Sequence, residues 1–459
     1  MGDRGLARSI ALTAIVVFVA IAVLIVGREL SIYRQAPLPT TGGAAPGASA
    51  PAGAGASPRV VLPQPIHQPI TRTSQGAQIA WVIANFADRS ASIGVDPAGK
   101  IVGTIDRADE PGRLFRSADG ASLVAVASDH ITIYSALDGS KQRTFARKPA
   151  DGVIDAAFSS DGRWLALIGS QSYVQVVDLA TGQLQTTPLG HDPNAATPGM
   201  SGAITGPIWS TLVFAGDSRR LYTIVDWGGP LRITAFDVTA SGLVQTAAAV
   251  NGQGGKSFPS CGGPGIAPRV LPDGKTLVVF CHMDGDVWLI DLPTLTTIAD
   301  EKTGQTNPFE LSPVFTPDGQ LVYLRGGTRI SAFDVASRSV VGPVIIPRKL
   351  DEPGPFSWLF GRADAGYVAS TIPISPDGTK LYLSGSDGIT VLRLPDLKPV
   401  AKLAAGLNLG EVWISGDGKT VYATDGGHGL YVMPEGGGAP IVVTLPGQNG
   451  GYFIASEHG

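Results

Sequence analysis

Histidine, cysteine and acidic side chains are the groups in this chain that could do chemistry. The six histidines are scattered and form no pair at metal-ligand spacing. The chain also lacks a Cys-x-x-Cys-His haem site, a Gly-x-Ser-x-Gly nucleophile motif and a glycine-rich phosphate loop. We therefore expect no catalytic set, no metal and no cofactor, and we interpret His191, His282 and His428 as loop residues.

Aspartates recur in a regular pattern, as Asp-Gly turns spaced about 40 to 60 residues apart. The clearest copy is Ser375-Pro376-Asp377-Gly378, and the other turns contain Asp119, Asp161, Asp217, Asp273, Asp318 and Asp417. In such a turn the aspartate bonds its own backbone and the glycine takes a positive φ angle. Recurrence at the same corner of each unit indicates a structural role for these carboxylates, not a catalytic or metal-binding role.

Each unit supplies one strand before this turn and three after it, as at 154–158, 164–168, 174–179 and 184–187. Four short antiparallel strands per unit are typical of a propeller blade. About eight copies are present; the first is incomplete, and the strand at 452–455 is left over to complete it. We predict an all-β fold, a single β-propeller over 71–459, with eight blades favoured and seven as the alternative.

Two segments carry a family resemblance. The segments Gly94–Ile105 and Val177–Gln183 resemble the third-strand ending and the following turn of YVTN-type and WD40-like bacterial propeller repeats. The resemblance covers most of the chain after residue 70 and implies the propeller fold. It implies little about function, because that family includes surface-binding proteins and lactonase-like enzymes.

Three insertions, at 190–207, 251–265 and about 346–366, connect consecutive blades. Strands alternate in direction, so these connections open on the same face as the loops between the second and third strands. Loops on a rigid scaffold commonly carry binding sites. The residues that we predict to bind a ligand on this face are Trp227, His282, Asp284, Phe356, Trp358, Phe360 and His428. The three aromatics at 356–360 fit either a recognition patch or a local cap on a blade edge.

The two cysteines, Cys261 and Cys281, fall on this same face, one in the second insertion and one at the end of a strand in the next blade. In a chain with an export-like N-terminus, we predict a disulfide between them. Two unrelated, partly buried thiols are the alternative. A zinc site is disfavoured, because no second Cys-x-x-Cys or His pair supplies the remaining ligands.

The N-terminal region differs in composition from the rest of the chain. Residues 1–9 form a short tail, 10–27 an apolar stretch long enough to cross a bilayer, and 28–70 a Pro/Ala/Gly-rich spacer. We predict a single-pass membrane anchor with an extracytoplasmic propeller; a cleaved signal peptide is the alternative for 10–27. Arginines lie on both sides of 10–27, so the positive-inside rule does not decide on which side of the membrane the propeller lies.

The overall charge narrows the possible partners. A formal net charge of -4 and the lack of any Lys/Arg run exclude an electrostatic nucleic-acid surface. We expect a non-catalytic binding or scaffold module for a protein or envelope ligand. The alternatives are a lactonase-like hydrolase, with Glu310, Asp364, His282 and His428 converging in the central channel, and a sensor or assembly role inside the cell if the topology is reversed.

Overall fold

The computed structural model describes residues 74–86, 90–106, 113–148, 152–169, 173–189, 209–226, 231–239, 242–250, 266–271, 273–281, 286–302, 312–316, 319–326, 329–345, 373–385, 387–425, 427 and 429–453. The predicted tail, membrane anchor and spacer lie outside these residues. Among the described residues, no helix is long and apolar enough to cross a membrane. The anchor at 10–27 therefore stays a prediction.

The described strands form eight separate antiparallel sheets, which confirms the eight-bladed propeller over the seven-bladed alternative. Within each blade we name the strands a to d from the innermost to the outermost. Blade 1 contains β1 (Ala80–Asn85), β2 (Ser90–Val95) and β3 (Ile101–Asp106) as strands b to d. Blade 2 contains β4 (Arg113–Arg116), β5 (Ser122–Val126), β6 (His130–Ser135) and β7 (Lys141–Ala146). Blade 3 contains β8 (Val153–Phe158), β9 (Trp164–Gly169), β10 (Tyr173–Asp178) and β11 (Leu184–Pro188).

The next three blades follow the same order, with longer outer strands in blade 4. Blade 4 contains β12 (Trp209–Phe214), β13 (Arg220–Asp226), β14 (Leu231–Thr239) and β15 (Gly242–Val250). Blade 5 contains β16 (Ile266–Val270), β17 (Thr276–Cys281), β18 (Asp286–Asp291) and β19 (Thr296–Lys302). Blade 6 contains β20 (Ser312–Phe315), β21 (Leu321–Gly326), β22 (Arg329–Asp334) and β23 (Ser339–Ile345).

The last two blades depart from the regular pattern at strand a. Blade 7 contains β24 (Lys380–Gly385), β25 (Gly388–Arg393) and β26 (Lys398–Leu403), and the described residues at its strand a position form a bridge between Ile374 and Leu381. Blade 8 contains β27 (Val412–Ile414), β28 (Thr420–Thr424), β29 (Gly429–Pro434) and β30 (Ile441–Thr444), so its strand a has three residues.

The ring closes when the C-terminal strand β31 (Gln448–Phe453) becomes strand a of blade 1. It pairs antiparallel with β1, with Phe453 opposite Val82 and Gln448 opposite Asn85, and a bulge lies between these pairs. This pairing confirms the predicted closure by a leftover C-terminal strand.

The core lies between blades, because side chains of a strand point alternately to its two faces. In β13, Leu221 and Val225 pack against blade 3, whereas Tyr222 and Ile224 pack against blade 5. Each sheet is therefore buried on both faces by its neighbours, and the ring has to be complete for every blade to be covered.

Strand d is the outermost strand of each blade and has one unpaired edge. Shifts in register between strands c and d place a bulge in β3, β7, β15, β19, β23 and β26. Bulges bend an edge strand and interrupt its row of backbone groups, which discourages pairing with another chain.

The described chain begins with a short segment, Ser74–Ile79, that we call the clasp. It contains the 3-10 helix Gln75–Gln78, which is capped by Ser74 Oγ. Blade 1 has no covalent a–b turn, because its strands a and b come from opposite ends of the chain. The clasp runs across that position and contacts blades 2 and 8.

Hydrogen bonds hold the clasp on both sides. Toward blade 2, Ser74 Oγ donates to the Asp119 carbonyl at 2.8 Å, and Arg116 Nη2 donates to the carbonyls of Gly76 at 2.6 Å and Ile79 at 2.7 Å. Toward blade 8, the Gly416 N–H donates to the Ala77 carbonyl at 2.9 Å, and the Tyr422 hydroxyl donates to the Gln78 carbonyl at 2.8 Å.

Arg116 is the charged side chain that ties these elements together. It is 1% exposed, and its guanidinium carbon lies 4.9 Å from the ring centroid of Trp413 in blade 8. One side chain of blade 2 therefore reaches the clasp and blade 8, the two elements that flank the closing strand.

We expect Arg116→Met to lower the free energy of unfolding by about 2–4 kcal/mol, because two buried carbonyl groups lose a charged donor. Arg220→Met is the control at a surface arginine: Arg220 pairs with Asp237 at 3.2 Å, and both side chains are almost half exposed. The control should lose less than about 1 kcal/mol. Urea unfolding measures both variants, and equal losses would contradict the role of the clasp.

Candidate functional site

The propeller has two faces with different connections. The a–b and c–d turns open on one side, which we call the turn face. The b–c turns and the connections from strand d to the next strand a open on the other side, which we call the insertion face. On the turn face the longest connection within the chain is 435–440, whereas the insertion face carries 189–208, 251–265 and 346–373. Strand order therefore assigns all three predicted insertions to one face.

The aspartates of the turn face are hydrogen-bonded within their own turns. Asp161 Oδ1 accepts from Ser159 Oγ at 2.6 Å and from the Arg163 N–H at 3.0 Å. The same pattern of aspartate acceptors occurs at Asp96, Asp119, Asp138, Asp178, Asp217, Asp273, Asp334, Asp377 and Asp417. The predicted structural role is therefore confirmed for Asp119, Asp161, Asp217, Asp273, Asp377 and Asp417, whereas Asp318 lies outside the described residues.

Every predicted binding residue lies outside the described residues, but the strands that flank it are placed. Trp227 follows β13, His282 and Asp284 lie between β17 and β18, and His428 lies between β28 and β29. Phe356, Trp358 and Phe360 belong to the connection between blades 6 and 7. The flanking strands all end or begin at the insertion face, which agrees with the common face expected from the sequence. The roles of these residues, and of Glu310 and Asp364, stay predictions.

Cys281 is the last residue of β17, opposite Ile266 and Asp286 in the neighbouring strands. Its backbone is therefore at the insertion face, where we expected it. Cys261 lies outside the described residues, and no disulfide is found in the part of the chain that the structure describes. The predicted pairing of Cys261 with Cys281 stays a prediction.

The turn that contains His428 is anchored by a neighbouring carboxylate. Asp425 Oδ1 accepts from the backbone N–H of Gly427 at 2.7 Å and of Gly429 at 3.1 Å. Asp425 Oδ2 lies 3.5 Å from the Tyr431 hydroxyl, and burial together with this carboxylate raises the pKa of Tyr431. Asp425 thus fixes the residues on both sides of His428.

Next to this turn, the connection 404–411 between blades 7 and 8 is held at both of its ends. Asp387 Oδ1 accepts from the Gly406 N–H at 2.9 Å, and Asp387 also pairs with Lys402. At the other end, the Gly410 N–H donates to the Thr424 carbonyl at 2.6 Å. These contacts tie the connection to the b–c turn of blade 7 and to the end of β28.

The connection ends at Glu411, a residue that the sequence analysis did not single out. Glu411 is 6% exposed, and its Oε2 accepts from the backbone N–H of Phe453 at 2.6 Å. It therefore joins the entry to strand a of blade 8 to strand a of blade 1, at the closing strand. Asp155 makes a similar link between blades 3 and 4, because its Oδ2 accepts from Thr211 Oγ1 at 2.6 Å and the Leu212 N–H at 3.2 Å.

Backbone or side-chain groups donate hydrogen bonds to the carboxylates of Asp155, Asp387, Glu411 and Asp425. These carboxylates therefore have a positioning role. Among the residues that the structure describes, no three His, Cys, Asp or Glu side chains are grouped to hold a metal ion. The described carboxylates near the insertion face thus hold the ends of its turns and connections.

Comparisons with known proteins do not assign this chain to a family. No family model matches the chain, and no curated protein matches its sequence. Hydrazine synthase from Kuenenia stuttgartiensis is a similar solved structure, with a TM-score of 0.44 and 17% identity over 71% of this chain and 96% of that one. The fold shown is an eight-bladed β-propeller. At this level of similarity we transfer no residue role, and the YVTN-type or WD40-like repeat class stays an expectation.

The turn-face aspartates generate a prediction about acid stability. Partial burial works to raise the pKa of Asp377, but hydrogen bonds from Ser375 and Thr379 outweigh it, and the pKa lies below its ordinary value of 3.8. The pKa of Asp396 is lowered to about 2, chiefly by its hydrogen bond from Arg393. A carboxyl whose pKa is lowered by folding contributes stability above its unfolded pKa and loses it as the pH falls.

We therefore expect the urea concentration at the unfolding midpoint to decrease as the pH is lowered from about 5 to about 2. Asp377→Asn keeps a side-chain acceptor for the turn but does not titrate, so its midpoint should fall less steeply over this range than that of the unmodified protein. If the urea midpoints of the two proteins decrease equally over this pH range, ionised Asp377 does not contribute to stability.

The buried carboxylate at the ring junction gives a second prediction. Glu411→Ala leaves the Phe453 N–H without its acceptor and should cost about 1–3 kcal/mol of unfolding free energy. Glu411→Gln retains an acceptor oxygen and should cost less than the alanine variant. Urea unfolding measures both, and an alanine variant as stable as the unmodified protein would contradict this role.

Proposed function

We propose that this protein is a membrane-anchored, extracytoplasmic binding module that presents its insertion face to a protein or cell-envelope ligand. In this proposal residues 10–27 form a single-pass anchor in the cell membrane and 28–70 a flexible spacer. The Cys261–Cys281 disulfide would pin the second insertion to blade 5. The module acts by binding and not by catalysis.

The observation that carries the proposal is the uneven distribution of connections between the two faces. Turn-face connections are short, and their aspartates are engaged in the turns themselves. The long insertions share the other face with Trp227, His282, Asp284 and His428. A rigid scaffold with variable loops on one side is a common arrangement for recognition.

The aromatic residues of the longest connection suggest the chemistry of the partner. Phe356, Trp358 and Phe360 provide apolar contact area, and Trp227 adds an indole N–H. Aromatic side chains dominate the binding energy of many protein interfaces, surrounded by polar residues at the rim. A folded protein surface or an envelope polymer with apolar faces fits this composition.

The test compares variants on opposite faces of the same two blades. One variant combines His282→Ala and His428→Ala on the insertion face of blades 5 and 8. The control combines Lys275→Ala and Lys419→Ala, which are exposed on the turn face of the same blades. Crosslinking of the full chain in intact cells, with quantitative mass spectrometry, measures the recovery of each partner.

We expect a specific partner to be recovered about tenfold less with the insertion-face variant and unchanged with the control. Equal recovery with both variants, or loss only with the control, would reject the insertion face as the binding surface. A tightly bound divalent metal together with lactone hydrolysis by the purified full chain would favour the hydrolase alternative instead.

A further inference from the structure

Blade 1 differs from the other blades in how its strand a is attached. In blades 2, 3, 4, 5, 6 and 8, a connection of five residues leads from strand a directly into strand b. Strand β31 has no such connection to β1, and it is joined to the described propeller at one end only, through residues 445–447 after β30. It can therefore leave its sheet without disturbing an a–b turn.

The pairing of β31 with β1 is also interrupted. The register shifts between Val82 and Ala84, and two glycines, Gly450 and Gly451, lie inside β31. Glycine weakens the interior of a strand, because it costs more backbone entropy and packs no side chain. A register shift also occurs between β8 and β9 of blade 3, but there the a–b turn joins the two strands. We therefore expect β31 to be the least stable strand a.

One set of contacts holds β31 in place at the junction of blades 8 and 1. Glu411 Oε2 accepts from the Phe453 N–H at 2.6 Å. The Phe453 side chain is buried, and its ring centroid lies 6.5 Å from that of Trp413 in blade 8. These contacts fasten β31 to blade 8 across the junction, near the end of the strand.

A second set of contacts closes the same junction without β31. The clasp accepts hydrogen bonds from Arg116 of blade 2 and from Tyr422 and the Gly416 N–H of blade 8. The clasp continues directly into β1, so it links blades 8, 1 and 2 through β1. The ring thus has two fastenings, and those of the clasp are made to other residues than those that hold β31.

We propose that β31 is a latch that detaches reversibly from β1 while the clasp keeps blades 8, 1 and 2 in the ring. Local opening at a lower free energy than global unfolding is expected where an element has few stabilising contacts. Release frees the inner edge of β1, which then faces the central channel, and uncovers the Trp413 ring. The latch depends neither on the membrane anchor nor on the ligand of the proposed function.

The test is hydrogen exchange of the full chain in detergent micelles, read at single amides by mass spectrometry with fragmentation. Phe453 and Leu212 form a matched pair, because each lies in a strand a and donates its N–H to a carboxylate of the preceding blade. The acceptors are Glu411 at 2.6 Å and Asp155 at 3.2 Å. After correction for intrinsic rates, the Phe453 amide should exchange at least about tenfold faster, although its hydrogen bond is shorter. Equal rates would overturn the latch.

Two variants test whether the latch and the clasp open independently. Glu411→Ala should raise the exchange of β31 severalfold and leave that of the Gly416 N–H, which donates to the clasp, unchanged. Arg116→Met should raise the exchange of Gly416 and leave that of β31 unchanged. A joint rise at β31 and Gly416 in either variant would show that the junction opens as one unit, which contradicts the latch. The comparison of Phe453 with Leu212 in the unmodified protein decides the matter even if a variant does not fold.

Discussion

The pairing of β31 with β1 is the contact on which the rest of the molecule depends. Each blade buries both of its faces against its neighbours, so an open ring would expose two apolar sheet faces to water. The ring closes because the C-terminal strand β31 pairs with the inner edge of β1, the first described strand. Buried polar groups accompany this junction: Glu411 accepts from the closing strand, and Arg116 holds the clasp that replaces the missing a–b turn.

In the closed ring, the turn face and the insertion face are under different structural constraints. On the turn face, each hairpin needs a tight turn, and the aspartates are used as acceptors for their own backbone. On the insertion face, the connections span from one blade to the next, and their length does not affect how the sheets pack. The entropic cost of closing a loop rises only slowly with its length, so insertions are tolerated on this face. Binding residues can therefore be carried by these loops.

The outer circumference is constrained by the unpaired edges of eight strands. Bulges in most of the strands d interrupt these edges, which limits pairing between propellers. A bulge does not hide the side chains at the start of the strand, and apolar ones remain exposed near the turn face. The clasp also lies on the turn face, where it contacts the a–b turns of blades 2 and 8.

The sequence by itself determined the propeller fold, the hairpin corners and the closing strand, because alternation of side chains and Asp-Gly turns are local signals, and it favoured eight blades over seven. It also placed the predicted site residues on one face, since strand direction alternates whatever the side chains are. Only the tertiary structure revealed Arg116, Asp155 and Glu411. Their partners lie some 37 to 57 residues away in the chain, on other blades or in the clasp. Such contacts depend on how neighbouring sheets pack and how the ring closes, which no local pattern encodes.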